Sequence, residues 1–267
     1  MILLLIFFIV ITTTILLICF RDNFIDNKHI NYFKERNPNK LKSKIERISS
    51  KYQNIKIYIV NLEKHSDRKL HMINLMNSFG FKNYEFIKPI SLDYIKNNKQ
   101  FKNWKMSDSK ISHVLTFLKI FEKNSNELFF IMEDDIDAYS DISINKILDN
   151  STKYTFDMLY LEMCYINCNK TKLIDNDIYL INKPSCAACI LYNKNFTDKI
   201  LKIYNNSKFD YITKYEDIDV VYNKLQSFFN FVYIGFPYFR QNPKFGSSLQ
   251  GSMRYYNKNN KFDKICI

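Results

Sequence analysis

Glycine and proline are nearly missing, with four and five residues among 267. A chain so poor in both is neither collagen-like nor a Pro/Gly-rich low-complexity sequence. Lys, Asn, Ile, Tyr and Phe are used heavily instead, a bias of AT-rich coding that says nothing of a site. No internal repeat is found, which sets aside repeat architectures, and no low-complexity insert interrupts the body. Zinc-finger and helix-turn-helix signatures are absent, and so is a basic stripe interleaved with aromatics, which removes the common sequence marks of nucleic-acid recognition. The opening residues lack a charged n-region, and no A-x-A-like cleavage site follows them, which argues against a removable signal peptide.

What is present begins with an apolar run over residues 1–20, broken only by Thr12, Thr13, Thr14 and Cys19. Twenty helical residues span about 30 Å, the thickness of a bilayer's hydrocarbon core, so a single-pass transmembrane anchor is expected there. Residues 21–53 are polar, charged and aperiodic and read as a stem or linker. Residues 54–267 are long enough for one α/β domain with a proper core. Its aromatics and interspersed charge mark it as globular. The net charge of +12 comes from lysines spread along the whole body. Such a balance favours polyanions, including a nucleotide diphosphate, but equally describes a solvated surface. The flank after the run is basic (Arg21, Lys28, Lys34, Arg36, Lys40, Lys42, Lys44, Arg47), and by the positive-inside rule this keeps the body cytoplasmic.

Asn150, Asn169, Asn195 and Asn205 each open an N-x-[ST] triplet, as chance produces in an Asn-rich chain. Of the six cysteines, Cys164-x3-Cys168 and Cys186-x2-Cys189 have spacings open to zinc or to disulfides. Cys186 and Cys189 sit in a strand-like apolar run, where cysteine also packs as a small hydrophobe.

The body alternates strand and helix signals. Ile55–Val60 is β-branched and reads as a buried strand. Ser66 offers an N-cap to a helix whose inward face is marked by Leu70, Ile73 and Met76, with Gly80 as its terminator. A short strand follows at Tyr84–Ile87. Ser107 or Ser109 caps a second helix, with Ile111, Val114, Leu115, Leu118 and Phe121 on one face. Leu128–Met132 is too apolar for an edge strand. Further strands are expected at Met158–Leu161, Ile178–Ile181, Ala187–Tyr192 and Phe231–Ile234. A last helix is expected over Asp219–Phe229, with Val221, Leu225 and Phe228 inward. Strands alternating with helices argue an α/β sandwich around a mixed or parallel sheet.

The chemistry concentrates at Glu133-Asp134-Asp135, directly after the most apolar strand. In an extended segment Glu133 and Asp135 point one way and Asp134 the other. Two carboxylates at the carboxyl end of a central strand can hold a hard cation, Mn²⁺ or Mg²⁺, with positions left for phosphate oxygens. Such an ion would offset charge on a diphosphate leaving group. The same triplet also reads as a solvated acidic loop. The metal reading expects Asp135 to face solvent and metal. Asn61 to Arg68 follows the first strand and, lying at a strand's carboxyl end, can converge on the same crevice. Arg68 is a candidate for a phosphate or a carboxylate, or a surface arginine of a helix's first turn.

These landmarks together resemble glycosyltransferase family 25, the lipooligosaccharide and collagen galactosyltransferases. Ile59-Val60-Asn61-Leu62 with Asp67-Arg68 resembles the family's opening "hINLxxxxDR". Ser112-His113 resembles its "SHhxhh" segment, and Phe130–Asp135 its "hhhEDD". Ala187–Leu191 resembles the strand before its "SRKGA"-like turn, and Asp217-Ile218-Asp219 its "PhD" step. Pro237, Gln241 and Ser247-Ser248 resemble its closing "P…Q…S". The resemblance covers about residues 55–250, and the order of the landmarks carries it. The glycine-rich lead-in before Ser-His is missing, Asn193-Lys194-Asn195 replaces the "SRKGA" turn, and Asp217 stands where the family prefers proline, so donor and acceptor specificity are in doubt more than fold.

The resemblance implies a GT-A-like nucleotide-sugar-binding sandwich with a mixed, mainly parallel central sheet. It implies a Mn²⁺-dependent inverting transfer of a hexose, galactose or glucose, from a UDP-sugar to a glycan or hydroxylated protein acceptor. Inversion asks for a carboxylate base, for which Asp219 comes first and Asp217 second. An acid at Asp219 would also cap the last helix. Asn61, Arg68, His113, Glu133 and Asp134 are the expected donor-binding residues, with Glu133 and Asp135 on the metal. His113 is otherwise a satisfied helix histidine. Gln241 and Ser247 are candidates for the acceptor side. Likeness to lumenal enzymes places the body across the membrane from the cytoplasm, against the charge rule, so its side stays open. Two other classes remain: an inactive, membrane-tethered binding or structural protein with this fold, and a basic membrane-associated nucleic-acid binder, although no specific nucleic acid is expected.

Overall fold

A computed structural model describes residues 45–138, 143–162, 172–175, 178–229, 232–235, 238–242 and 244–245. The expected anchor over residues 1–20, the stem to residue 44, and Cys19, Cys164, Cys168, Cys266, Pro237, Ser247 and Ser248 lie outside the described residues. Among the described residues no helix is long and apolar enough to cross a membrane.

In chain order the elements are β1 (Lys56–Val60), α1 (Ser66–Phe79), β2 (Tyr84–Ile87), α2 (Leu92–Asn97), α3 (Asp108–Lys123), β3 (Leu128–Glu133), β4 (Ile136–Ala138), α4 (Ile144–Ser151) and β5 (Met158–Tyr160). They continue with β6 (Lys172–Asp175), β7 (Ile178–Leu180), β8 (Cys189–Asn193), α5 (Lys194–Tyr204), α6 (Asp210–Thr213), α7 (Ile218–Lys224), β9 (Val232–Gly235) and β10 (Phe239–Gln241). Among the described residues eight strands form one sheet in the order β2-β1-β3-β8-β5-β9-β7-β6, and β10 pairs with β4 in a small ribbon. The sheet is mixed and mainly parallel: β8 and β7 run against the other six strands.

The apolar run of β3 puts it in the middle, between β1 and β8. Its alternation fills both faces of the sheet. Phe129 packs with Phe121 of α3 and Tyr192 of β8, while Phe130 meets Phe81 beyond α1. Both rings are fully buried, and each contributes about 1.5–3 kcal/mol of transfer energy. That two-sided burial is why β3 reads as continuous rather than alternating hydrophobicity.

Several expectations need correction. The helix α1 turns Arg68, Met72, Leu75, Met76 and Phe79 inward, whereas Leu70 is 59 % exposed. An arginine therefore occupies the inward stripe, and the expected face was displaced by assigning charge to the outside. The N-cap is His65 without a side-chain bond, not Ser66. Gly80 does end the helix, at φ 78°, with its N–H donating to Met76 O at 2.9 Å, the left-handed stop that glycine favours. The last helix closes at Lys224 and gives way to a 3₁₀ turn over Gln226–Phe228. Val221 and Leu225 are buried, but Phe228 is exposed, because the turn breaks the 3.6-residue register that would have carried it inward. Residues 45–53 belong to the packed body rather than to a stem. Ile48 and Tyr52 are buried, Ile48 N–H donates to Phe79 O at 2.7 Å, and Glu46 accepts from Ser143 and Asn145 of the α4 start.

Candidate functional site

Parallel pairing of β1 and β3 sets Val60 opposite Glu133, so Asn61 and Asp134 leave the sheet side by side. The chain runs from β1 outward to β2 and then returns to β3 on the other side of β1. This reversal of strand order opens a crevice at the carboxyl ends, where ligands of α/β sheets bind. Asn61 Nδ2 donates to Asp134 Oδ2 at 2.7 Å. Arg68, from the first turn of α1, donates through Nη1 to Asp134 Oδ1 at 2.9 Å and to Asp135 Oδ2 at 3.4 Å. Its Nη2 donates to Phe245 O at 2.8 Å, and its guanidinium lies 5.6 Å from the centre of the Phe245 ring. The arginine is 5 % exposed. Of its sequence readings, carboxylate pairing is the one observed. His65 Nδ1 lies 4.0 Å from Asp134 Oδ2. Burial and then the Arg68 charge hold the His65 pKa below its ordinary value, so this imidazole is neutral.

Strict alternation along the acidic triplet ends with β3. Glu133 closes the strand, and Asp134 and Asp135 form a turn. Asp134 and Asp135 therefore share one cation, rather than facing opposite ways. Asp135 is also buried, at 3 % exposure, instead of open to solvent. The cause is the segment after β10, where Asn242 N–H donates to the Asp135 carbonyl at 2.5 Å. Burial first, then the charge of Glu133, pushes the Asp135 carboxyl up to about 8, against the pull of Arg68.

Glu133 looks the other way, to α3 and β10. Gln241 Nε2 donates to its Oε2 at 3.2 Å, and His113 Nε2 lies 3.6 Å from its Oε1. The His113 Nδ1 is 2.8 Å from Asp217 Oδ1. Burial opposes charge on this imidazole, but Asp217 and then Glu133 outweigh it and raise His113 to about 10. Its Nδ1–H consequently donates to Asp217, and the ring is a cation held between two carboxylates. Burial likewise works against ionised Asp217, but His113 and the Ile218 N–H hold its pKa below the ordinary value.

Asp217, not Asp219, is the N-cap of α7, accepting from Ile218 N–H. Asp219 lies in the first turn. Its Oδ1 accepts from Val220 N–H at 2.8 Å and its Oδ2 from Cys186 N–H at 3.1 Å. Burial and the neighbouring Asp217 raise its pKa. The Cys186 bond follows from topology. β8 runs against β3 with Cys189 opposite Met132, so the residues before β8 arrive at the same end of the sheet. Cys186 is disulfide-bonded to a partner outside the described residues and adopts φ 73°. Cys189 is a free thiol, fully buried in β8. These two cysteines do not form a shared zinc clamp.

All eight expected site residues (Asn61, Arg68, His113, Glu133, Asp134, Asp135, Asp217 and Asp219) thus lie at one end of the sheet. Gln241 joins them against Glu133, while Ser247 is outside the described residues. Sequence reasoning missed His71, Asp137, Asn242 and Phe245. His71 Nε2 lies 2.9 Å from Ile136 O and 3.2 Å from Asp137 Oδ1, and its ring meets Phe245 at 5.1 Å. Asn242 Nδ2 donates to Asp137 Oδ2 at 2.5 Å. The signal for His71 was its place three residues after Arg68, on the same side of the helix. Asn242 and Phe245 had no local signal.

Among the described residues no group of three or more His, Cys, Asp or Glu side chains is arranged to hold a metal ion. What is present is Asp135, with Oδ1 buried and lacking a hydrogen-bond partner, two residues beyond Glu133, whose oxygens face Gln241 and His113. A lone buried carboxylate oxygen suits a hard cation. Two carboxylates suit Mg²⁺-like ions that take their remaining ligands from phosphates and water. The residues fit an ion shared with a phosphate-bearing ligand, not an all-protein cage.

No protein-family model matches the chain. No curated protein matches it either. Solved structures that resemble it do so distantly. An inositol-1-phosphate CTP transferase from T. maritima aligns with TM-score 0.39 and 13% identity, over 73% of this chain and 93% of that one. A UDP-glucose pyrophosphorylase complexed with UDP-glucose gives TM-score 0.40 and 9% identity, over 70% and 74%. A CTP:phosphocholine cytidylyltransferase from Streptococcus pneumoniae gives 0.35 and 11%, over 68% and 89%.

Proposed function

We propose that this chain is a metal-dependent, inverting glycosyltransferase that moves a hexose from a UDP-sugar to a hydroxyl of a glycan or protein. One observation carries the reading. Glu133 and Asp135, with an orphaned carboxylate oxygen between strand end and turn, sit at the switch point of the sheet, beside Arg68, His113 and a second acidic pair at Asp217 and Asp219. The ordered landmarks shared with glycosyltransferase family 25 support it.

Glu133 and Asp135 would hold Mn²⁺ or Mg²⁺, which when bound supplies Lewis-acid neutralisation of the leaving diphosphate. Arg68 and Asn61 hold Asp134 and so fix the turn that presents Asp135. The His113 cation holds Glu133 and Asp217 in register across the crevice. Asp219 is the general base. Its orientation is fixed by two backbone N–H groups, and its raised pKa makes it a better proton acceptor than an ordinary carboxylate. It takes the proton of the acceptor hydroxyl as that oxygen bonds the anomeric carbon and the bond to the diphosphate breaks. Attachment to a membrane through residues 1–20 belongs to the same proposal.

A second reading, an inactive protein with this fold, is favoured by the 3 % exposure of Asp135. Incubation with UDP-galactose, UDP-glucose and UDP-N-acetylglucosamine, with and without Mn²⁺, separates the two. Mn²⁺-dependent release of UDP from one donor is the expected result. Silence across all three donors, together with no binding of UDP, sinks the enzyme.

A further inference from the structure

We propose that Gln241 is a positioning residue for the metal-binding carboxylate Glu133, and that the strap residues 239–242, with Phe245, set the site from the core side. The inference rests on the metal reading above. Strand β10 pairs antiparallel with β4, Phe239 opposite Ala138 and Gln241 opposite Ile136. In a strand, residues two apart share a face. Phe239 is fully buried, with its ring 5.6 Å from Phe79 of α1 and 5.0 Å from Tyr238. Seating that ring fixes the facing of β10, and Gln241 follows it to Glu133.

The next residues finish the job on the same turn. Asn242 takes the Asp135 carbonyl through its N–H and the Asp137 carboxylate through its side chain, and Phe245 covers Arg68. Every odd-numbered acid from 133 to 137 therefore has a partner on the strap. The contact of Gln241 has the same form as that of Asn242 with Asp137, whose other oxygen faces His71, but it falls on the acid proposed to bind metal. It reaches a side-chain oxygen, Oε2, of a residue whose Oε1 faces His113. Only the amide N–H of Gln241 can face a carboxylate, since its carbonyl would repel it. With Gln241 donating to one oxygen and the His113 cation 3.6 Å from the other, Glu133 is restrained in its rotamer, and a ligand oxygen held in advance binds metal more tightly than a free one.

The test measures Mn²⁺ binding to the full chain by electron paramagnetic resonance, with and without UDP, for wild type, Asp135→Ala, Gln241→Met and Gln241→Asn. Thermal melting in EDTA runs in parallel. Methionine keeps the length and removes the donor; asparagine keeps the amide but falls a methylene short. Both Gln241 variants are expected to weaken Mn²⁺ binding about tenfold, the low end for lost support of a metal ligand, at an unchanged melting temperature in EDTA. Unchanged affinity in both, against wild-type binding that Asp135→Ala removes, overturns the role of Gln241 and leaves the metal reading standing. A lowered melting temperature with unchanged affinity also overturns it, as a purely structural contact. Absence of Mn²⁺ binding in wild type overturns both readings.

Discussion

Replacing Arg68 by methionine keeps most of the buried volume and deletes a cation that touches both Asp134 and Asp135. The arginine side chain is 7 % exposed and that of Asp134 9 %, so solvent screening offers little relief. Removing one partner of a buried ion pair costs about 3–5 kcal/mol, because the other charge is left stranded. Asp135, raised to about 8, is mostly protonated at neutral pH without metal. One carboxylate rather than two is therefore stranded, which favours the lower figure. For a domain of this size each 1 kcal/mol shifts the melting temperature by about 2–4 °C, so Arg68→Met should melt about 6–12 °C below wild type. The assay is thermal unfolding in EDTA, repeated on Arg68→Met/Asp134→Asn, where neutralising the stranded acid should restore most of the loss. Melting within 2 °C of wild type (about 0.5–1 kcal/mol) would refute the structural role. Loss of donor binding without loss of stability would move Arg68 from carboxylate to phosphate.

Asp135→Ala should abolish Mn²⁺-dependent turnover while the protein keeps its circular-dichroism spectrum; near-normal turnover would refute the metal assignment. Asp219→Asn should lower kcat far more than donor affinity, and equal losses in both would point to a structural role at the start of α7. His113 is raised from 6.5 to about 10, so its contribution to stability is complete below pH 6.5 and is lost as pH rises through 10. In metal-free protein the melting temperature of wild type should therefore fall more steeply between those values than that of His113→Gln. Parallel slopes would show that the imidazole is not held as a cation.

The strands were largely legible because each buried run carries its own signal, β3 most of all. The acidic turn at its end was legible for the same reason, since three acids after such a strand need a purpose. What was lost depends on partners distant in the chain. Arg68 reads as a surface residue until the parallel register of β1 and β3 brings Asp134 beside it. Asp217 takes the cap expected of Asp219, which falls in the first turn instead, because the helix starts earlier than the sequence suggests, and local propensity does not resolve that shift. The burial of Asp135 follows from β10, whose pairing with β4 crosses about a hundred residues and leaves no local mark. Leu70 and Phe228 failed through periodicity alone: one helix buries a charge, and the other stops early.

Strand β8 also governs the order in which the molecule can be made. Until residues 189–193 have left the ribosome, β3 shows an open flank of backbone donors and acceptors beside its most apolar side chains, with only β1 at its other side. A nascent chain in that state offers an edge to any strand that meets it. The crevice cannot close before this late insertion, which follows β3 by some sixty residues of synthesis, and such non-local pairing is the kind that slows folding.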